Sequence, residues 1–153
     1  MKSLVVYVSH KGNTQRVAET IADELRLKGA AEVIPVEEAP SAMEADVDLL
    51  VIGGPTEGHG MTPEMSNYLD RLDPASLRAR PVAAFDTRIN WPRLLSGSAA
   101  AGIAKRLEAA GARVIEPQGS FIVNTEPALL PGELERARAW GESLAASVVP
   151  VPA

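Results

Sequence analysis

In SLVVYVSHKGNT, residues 3–14, an apolar run from Leu4 to Val8 gives way abruptly to small polar residues. Unbroken apolarity over so short a run is that of a strand buried on both faces, as in a parallel sheet. Directly after the break, Val17, Ala18, Ile21, Ala22 and Leu25 recur at helical spacing. A strand, a short polar loop and a helix in succession aim unpaired backbone N–H groups and the positive helix end at one point, where an anion fits. Ser9, Asn13 and Thr14 can add side-chain donors, Lys11 a charge, and Gly12 lets the backbone come close to a ligand. The plainer alternative is a turn in which Asn13 or Thr14 only caps the helix.

The alternation continues along the chain. Lys28-Gly29 supplies a helix stop, and residues 31–36 read as a second strand. Residues 37–46 are polar, with Ser41 placed to cap a short helix after Pro40. Residues 48–52 form a third apolar strand, followed by Gly53-Gly54-Pro55-Thr56-Glu57-Gly58-His59-Gly60, whose glycines predict irregular backbone. Thr62 and Pro63 open a helix as cap and first residue, with Met65, Tyr68, Leu69 and Leu72 as its apolar stripe. Asp73-Pro74 begins a polar connector, and residues 81–85 are the fourth strand. The loop Asp86-Thr87-Arg88-Ile89-Asn90-Trp91-Pro92-Arg93 follows, then a helix over about 98–110 that buries Ala100, Ile103, Ala104 and Leu107. Two strand pieces, 113–115 and 120–123, are interrupted by Pro117 and Gly119. A last helix, from 132 or 133 to about 147, buries Leu134, Ala137, Gly141 and Leu144. This predicts a single domain over 1–147 with a frayed tail, 148–153.

Short apolar strands alternating with amphipathic helices imply a doubly wound parallel sheet with helices on both faces. In that architecture ligands sit beyond the carboxyl ends of the strands, where the strand order reverses. Three loops leave such ends, 9–14, 54–61 and 86–98, and they are the unusual loops of the chain. Their convergence points to a phosphate-bearing ligand.

Bulk properties narrow the classes. A chain of 153 residues is long enough to bury a core, and its lack of cysteine removes disulfides, thiolate metal sites and thiol nucleophiles. The net charge of −5 disfavours non-specific nucleic-acid binding. Residues 1–75 carry 6 basic and 13 acidic side chains, whereas residues 76–153 carry 9 and 7. Such a split can give the surface a charge dipole that orients a partner. No signal peptide or membrane span is expected, which makes the cytoplasm the default location. A carboxylate ends neither the first nor the third strand, as a receiver domain requires. Gly-x-Gly-x-x-Gly is absent after the first strand, and no Walker motif, metal cluster or serine elbow occurs.

With the three loops in view, the chain resembles the flavodoxin family over nearly its whole length. Ser9-His10-Lys11-Gly12-Asn13-Thr14 is similar to that family's Ser/Thr-x-Thr-Gly-x-Thr loop around the FMN phosphate. Ser9, Gly12 and Thr14 fall on matching positions, and Lys11 replaces the middle hydroxyl. Residues 48–56, DLLVIGGPT, resemble the third strand and second flavin loop. The resemblance implies a five-stranded sheet in the order 2-1-3-4-5, FMN as cofactor, and electron transfer as the activity. The partner would be a redox protein or a small electron acceptor. FMN-binding residues would be Ser9, His10, Lys11, Gly12, Asn13 and Thr14; Pro55, Thr56, Glu57, Gly58, His59 and Gly60; and Asp86, Thr87, Arg88 and Trp91. The alternatives are an FMN-dependent reductase of a quinone or similar acceptor, and a scaffold that has lost FMN.

Two departures bear on the chemistry. Long-studied flavodoxins sandwich the flavin between an aromatic of the second loop and a Tyr of the third. Here the second loop offers only His59 and the third only Trp91, beside Arg88 and Arg93. Trp91 can stack on the flavin or fold over Leu94 and Leu95 as a small satellite core. A guanidinium near the flavin would favour its anionic reduced form and paired-electron chemistry, whereas the alternative is two surface arginines. His59 can meet the flavin edge or face solvent, His10 is expected to point away, and Trp140 is expected to serve packing.

Overall fold

The apolar runs pair side by side in the computed structural model, which describes residues 1–126 and 128–148, the side chain of Arg93 excepted. The strands are β1 (Lys2–Tyr7), β2 (Ala30–Pro35), β3 (Leu49–Pro55), β4 (Pro81–Ile89), β5 (Arg113–Val114) and β6 (Gly119–Val123). Every pairing is parallel, and the order is β2-β1-β3-β4. Beyond β4, β5 pairs with Pro81 and Val82, while β6 pairs with residues 85–89. These two pieces occupy one lane, so the sheet has the expected order 2-1-3-4-5.

Helices α1 (Asn13–Leu25) and α6 (Glu133–Val148) cover one face. Helices α2 (Pro63–Arg71), α3 (Pro74–Leu77) and α5 (Ala99–Ala109) cover the other. The pleat sorts each strand between these layers. Leu4, Val6, Leu50, Ile52, Val82 and Ala84 face α2 and α5, whereas Val5, Leu49, Val51, Ala83 and Phe85 face α1 and α6. Burial of each large aliphatic side chain contributes about 1.5–3 kcal/mol, which accounts for strands apolar on both faces. On the α6 side Phe85, Phe121 and Trp140 meet edge to face, with centroids 6.0–6.3 Å apart. The Trp140 indole N–H donates to the Pro117 carbonyl at 2.9 Å, so this residue serves packing as expected.

Several boundaries differ from those read in the sequence, each for a tertiary reason. β3 continues through Gly53, Gly54 and Pro55 instead of ending at Ile52. Gly53 lies opposite Phe85 in the register, and a Cβ there would stand 2.2 Å from the Phe85 ring. This glycine marks a close approach and not a strand end. β4 likewise runs on to Ile89, because β3 pairs with it as far as Thr87 and β6 as far as Ile89. Asp86, Thr87 and Arg88, expected in a loop, therefore lie in a strand. Within the remaining loop Arg93–Ser96 forms a short helix, α4. Residues 74–77 form α3, capped by Asp73, where a connector was expected. No helix follows Ser41; a single 3-10 turn, Val36–Glu38, precedes it, and the Ser41 carbonyl accepts from Asp73 N–H at 2.7 Å. Helix α6 extends to Val148, and residues 149–153 of the expected tail lie outside the described residues. Among the described residues no helix is long and apolar enough to cross a membrane.

Candidate functional site

The strand order reverses between β1 and β3, and the loops leaving their carboxyl ends diverge there to open a cleft of about 110 Å³. The loop after β1 contributes His10, Lys11, Asn13 and Thr14 to its walls. The end of β3 and its loop give Pro55, Thr56 and Glu57, and β4 gives Thr87, Arg88 and Ile89. Val123 closes it from the end of β6.

The loop after β1 is shaped by Ser9, whose Oγ accepts the N–H of Gly12 at 3.1 Å and of Gln15 at 3.3 Å. Gly12 caps α1 in the left-handed region, φ 89°, where a side chain is strained. Neither Asn13 nor Thr14 is the cap; both lie in the first turn, and both are buried. The Thr14 hydroxyl shares a 2.8 Å hydrogen bond with that of Thr87 and ties the helix to β4. Among the described residues, the N–H groups of Lys11, Asn13 and Thr14 find no protein acceptor. Neither does the carboxamide of Asn13, on a residue only 8% exposed. Donors gathered at the start of a 13-residue helix, lacking protein acceptors, suit a phosphate group. The donor set therefore fits the phosphate of FMN.

The second loop is a tight turn. Glu57 N–H donates to the Gly60 carbonyl at 2.8 Å and Gly60 N–H returns the bond at 3.1 Å. Gly58 and His59 both take positive φ, 56° and 69°, the signature of a type I′ turn. Gly58, His59 and Gly60 stand at the rim, with His59 exposed at the apex and none of the three lining the cleft. Thr56 anchors the turn: its N–H donates to the Thr87 carbonyl at 2.8 Å, and its Oγ1 accepts from Ala99 N–H at 3.0 Å.

His10 does not point away. Its Nδ1 lies 2.7 Å from an oxygen of Glu57, and its Nε2 meets a carboxylate oxygen of Glu64 in the first turn of α2. Glu64, followed by Glu57, holds the imidazole above its ordinary value of 6.5. The same contact with His10 lowers Glu64 from its ordinary 4.5.

On the β4 side the expected residues divide. Asp86 is fully buried below the cleft, where its carboxylate accepts from Ser98 Oγ at 2.8 Å, Ala100 N–H at 3.0 Å and Ser120 Oγ at 2.6 Å. It organises the start of α5 and does not line the cleft. Arg88 does line it, with Nε donating to Ser120 Oγ at 2.8 Å and a terminal N–H to the Trp91 carbonyl at 2.9 Å. Trp91 is 51% exposed and outside the cleft, and Leu94 and Leu95 are 93% and 58% exposed, so the satellite core does not form. The expectation for Arg93 concerns a side chain outside the described residues.

Sequence reasoning missed Ile89, Val123, Glu64 and Ser120. Val123 was within reach, because the rule that picked three strand ends applies to the fifth lane as well. Glu64 and Ser120 enter through side-chain contacts across elements, for which a linear pattern carries no signal.

A larger hollow of about 230 Å³ lies at the amino end of β1, among Lys2, Leu4, Ile34 and Met43. Glu32, Glu38 and Glu44 line it, a setting that repels an anion.

Residues 4–92 match the family model described as "Flavodoxin domain". A flavodoxin from the domain Archaea superposes with TM-score 0.82 at 25% identity, covering 97% of this chain and 99% of its own. Oxidised flavodoxin 1 of Bacillus cereus gives 0.81 at 21% identity, with 98% and 100% covered. The flavodiiron protein of Giardia intestinalis gives 0.76 at 21% identity, matching 97% of this chain but 36% of its own. No curated protein sequence matches.

Proposed function

Because the chain belongs to the flavodoxin family, we propose that it passes electrons, through FMN bound in this cleft, to and from a separate redox partner. Bound FMN supplies reversible electron transfer. The polypeptide binds and orients it. Loop 9–14 takes the phosphate through the amides of Lys11, Asn13 and Thr14, the Asn13 carboxamide and the α1 N-terminus. Lys11 adds a flexible positive charge. Thr56 and Thr87 fix the backbone at the ring end, Glu57 and Arg88 set the charge there, and Ile89 and Val123 keep that wall apolar.

The observation that carries this reading is the set of acceptor-free amides above α1, at the reversal of strand order. Carriage of electrons is favoured over a reductase because the cleft holds only about 110 Å³. Pockets that enclose a small molecule are several-fold larger, about 300–1,000 Å³. There is room to seat one end of a cofactor and none to bury a second substrate against it.

Titration calorimetry of the folded apoprotein tests the reading. Saturable 1:1 binding of FMN, with riboflavin markedly weaker, is expected. Gly12→Val should lose most of the affinity, because its left-handed backbone sets the direction of the adjoining amides. Failure of folded apoprotein to bind FMN would overturn it.

One observation favours the reductase: Arg88 is a cation held rigidly in the wall of the cleft, where it would favour reduction by electron pairs. Turnover of soluble quinones with a reduced nicotinamide donor, by the FMN-loaded protein alone, is the outcome that would establish it.

A further inference from the structure

His10 sits on the phosphate loop with a carboxylate at each ring nitrogen, Glu57 of the turn on one side and Glu64 of α2 on the other. An ionised carboxylate only accepts hydrogen bonds, and neutral imidazole has a single N–H. A neutral His10 would therefore turn a lone pair towards one of the two oxygens, whereas an imidazolium donates to both. Since the carboxylates stand on opposite nitrogens, they converge on no common point. Among the described residues no cluster forms that could hold a metal ion.

We propose that His10 is held as an imidazolium bridging Glu57 and Glu64, and that it acts as a positioning residue. It fixes the 57–60 turn beside the phosphate loop, and FMN leaves faster once this proton is lost. The proposal rests on the cofactor reading above. His10 and Glu57 line the same cleft, so the bridge spans the opening between two of its walls. The charged groups around it are Glu57 from the turn, Glu64 from α2, Lys11 on its own loop and Arg88 across the cleft on β4. With His10 protonated, the His10–Glu57–Glu64 group carries a net single negative charge. Without the proton it carries two, next to the seat of a phosphate dianion. Both consequences of deprotonation, a loosened bridge and added repulsion, act against retention. His10 is displaced upward and Glu64 downward, the directions that such a contact imposes on each.

The test combines NMR with release kinetics. The chain has only two histidines, so His59→Gln assigns the His10 ring signals in long-range proton–nitrogen spectra. In folded apoprotein His10 should titrate above 6.5, its ordinary value. FMN release should accelerate about two- to fivefold, the range of a partly exposed ion pair, through the His10 midpoint of the loaded protein, which linkage sets above that of the apoprotein. His10→Gln should release at the faster rate with no pH step, and Glu64→Gln should lower both midpoints together. A His10 midpoint at or below the ordinary value overturns the bridge, and a pH step that survives in His10→Gln overturns its retention role. If folded apoprotein binds no FMN, the cofactor reading fails and the retention role with it. Binding without a pH step overturns the retention role alone.

Discussion

Arg88 is the side chain on which the electrochemistry turns. Its position is fixed at two atoms, Nε on Ser120 Oγ and a terminal nitrogen on the Trp91 carbonyl, and Ser120 in turn donates to buried Asp86. A cation so anchored cannot swing away when charge appears beside it. Over about 4 Å in wet surroundings, one unit charge stabilises another by about 1 kcal/mol. Arg88→Gln should therefore lower the two-electron midpoint potential of bound FMN by roughly tens of millivolts, read by spectroelectrochemistry. An unchanged potential would show that the guanidinium is screened. The His10 bridge gives a second expectation, in stability and not in potential. The folded state raises His10, so its contribution is complete below pH 6.5 and fades as pH rises through the folded value. Glu64 is lowered, so its contribution is complete above 4.5 and fades as pH falls through its folded value. Both are full between these two ordinary values. A thermal-melt pH series should show a shoulder above pH 6.5 that His10→Gln abolishes. At this scale the sequence was an uneven guide. Ser9, Gly12, Asn13 and Thr14 declared themselves by chemistry and spacing, whereas His10 took its partners from residues 47 and 54 positions away.

Among the elements, β4 departs most from its reading, and its extension determines where Asp86 and Arg88 point. The sequence 86–89 looks like loop because it is polar, yet two parallel neighbours hold it extended. Alternation along it then puts Asp86 and Arg88 on one face, where both meet Ser120 Oγ, Asp86 deeper and Arg88 at the cleft wall, and turns Thr87 to the other, where it meets Thr14. Asp86 satisfies three donors at the junction of β4, β6 and α5. Asp86→Ala leaves those donors buried and unpaired, and a loss of about 3 kcal/mol in urea unfolding is expected. Asp86→Asn, which keeps one acceptor oxygen, should lose less. Gly53→Ala puts a methyl group into the Phe85 ring and should destabilise by about 1–3 kcal/mol in urea unfolding. The long helices, by contrast, were legible, whereas the short α3 and α4 were not. The stripes Val17, Ala18, Ile21, Leu25 and Ala100, Ile103, Ala104, Leu107 are buried as their spacing requires. Strand ends were harder, because pairing partners and not local composition decide where a strand stops.

At the scale of the molecule, the parallel sheet, its layering and its ligand end followed from the alternation of strands and helices, and the strand order from the family resemblance. The width of the cleft did not, since it depends on how three loops rest against one another. Two of them pack closely against each other. A Cβ placed on Gly97 would lie 1.9 Å from the His59 carbonyl oxygen, and Thr56 holds Ala99 through its hydroxyl. The 57–60 turn and the corner before α5 therefore form one rigid side wall, while loop 9–14 meets that wall at the rim through the side chain of His10. Length in one partner of the wall is then bound to length in the other. A residue inserted at 58 or 59 would unseat Gly97, and one inserted at 97 would unseat the turn. Relatives or engineered forms that lengthen either loop should need a matching change in its neighbour, whereas exchange of the exposed His59 for Asn or Gly, which suit its left-handed backbone, should be absorbed without cost to the frame.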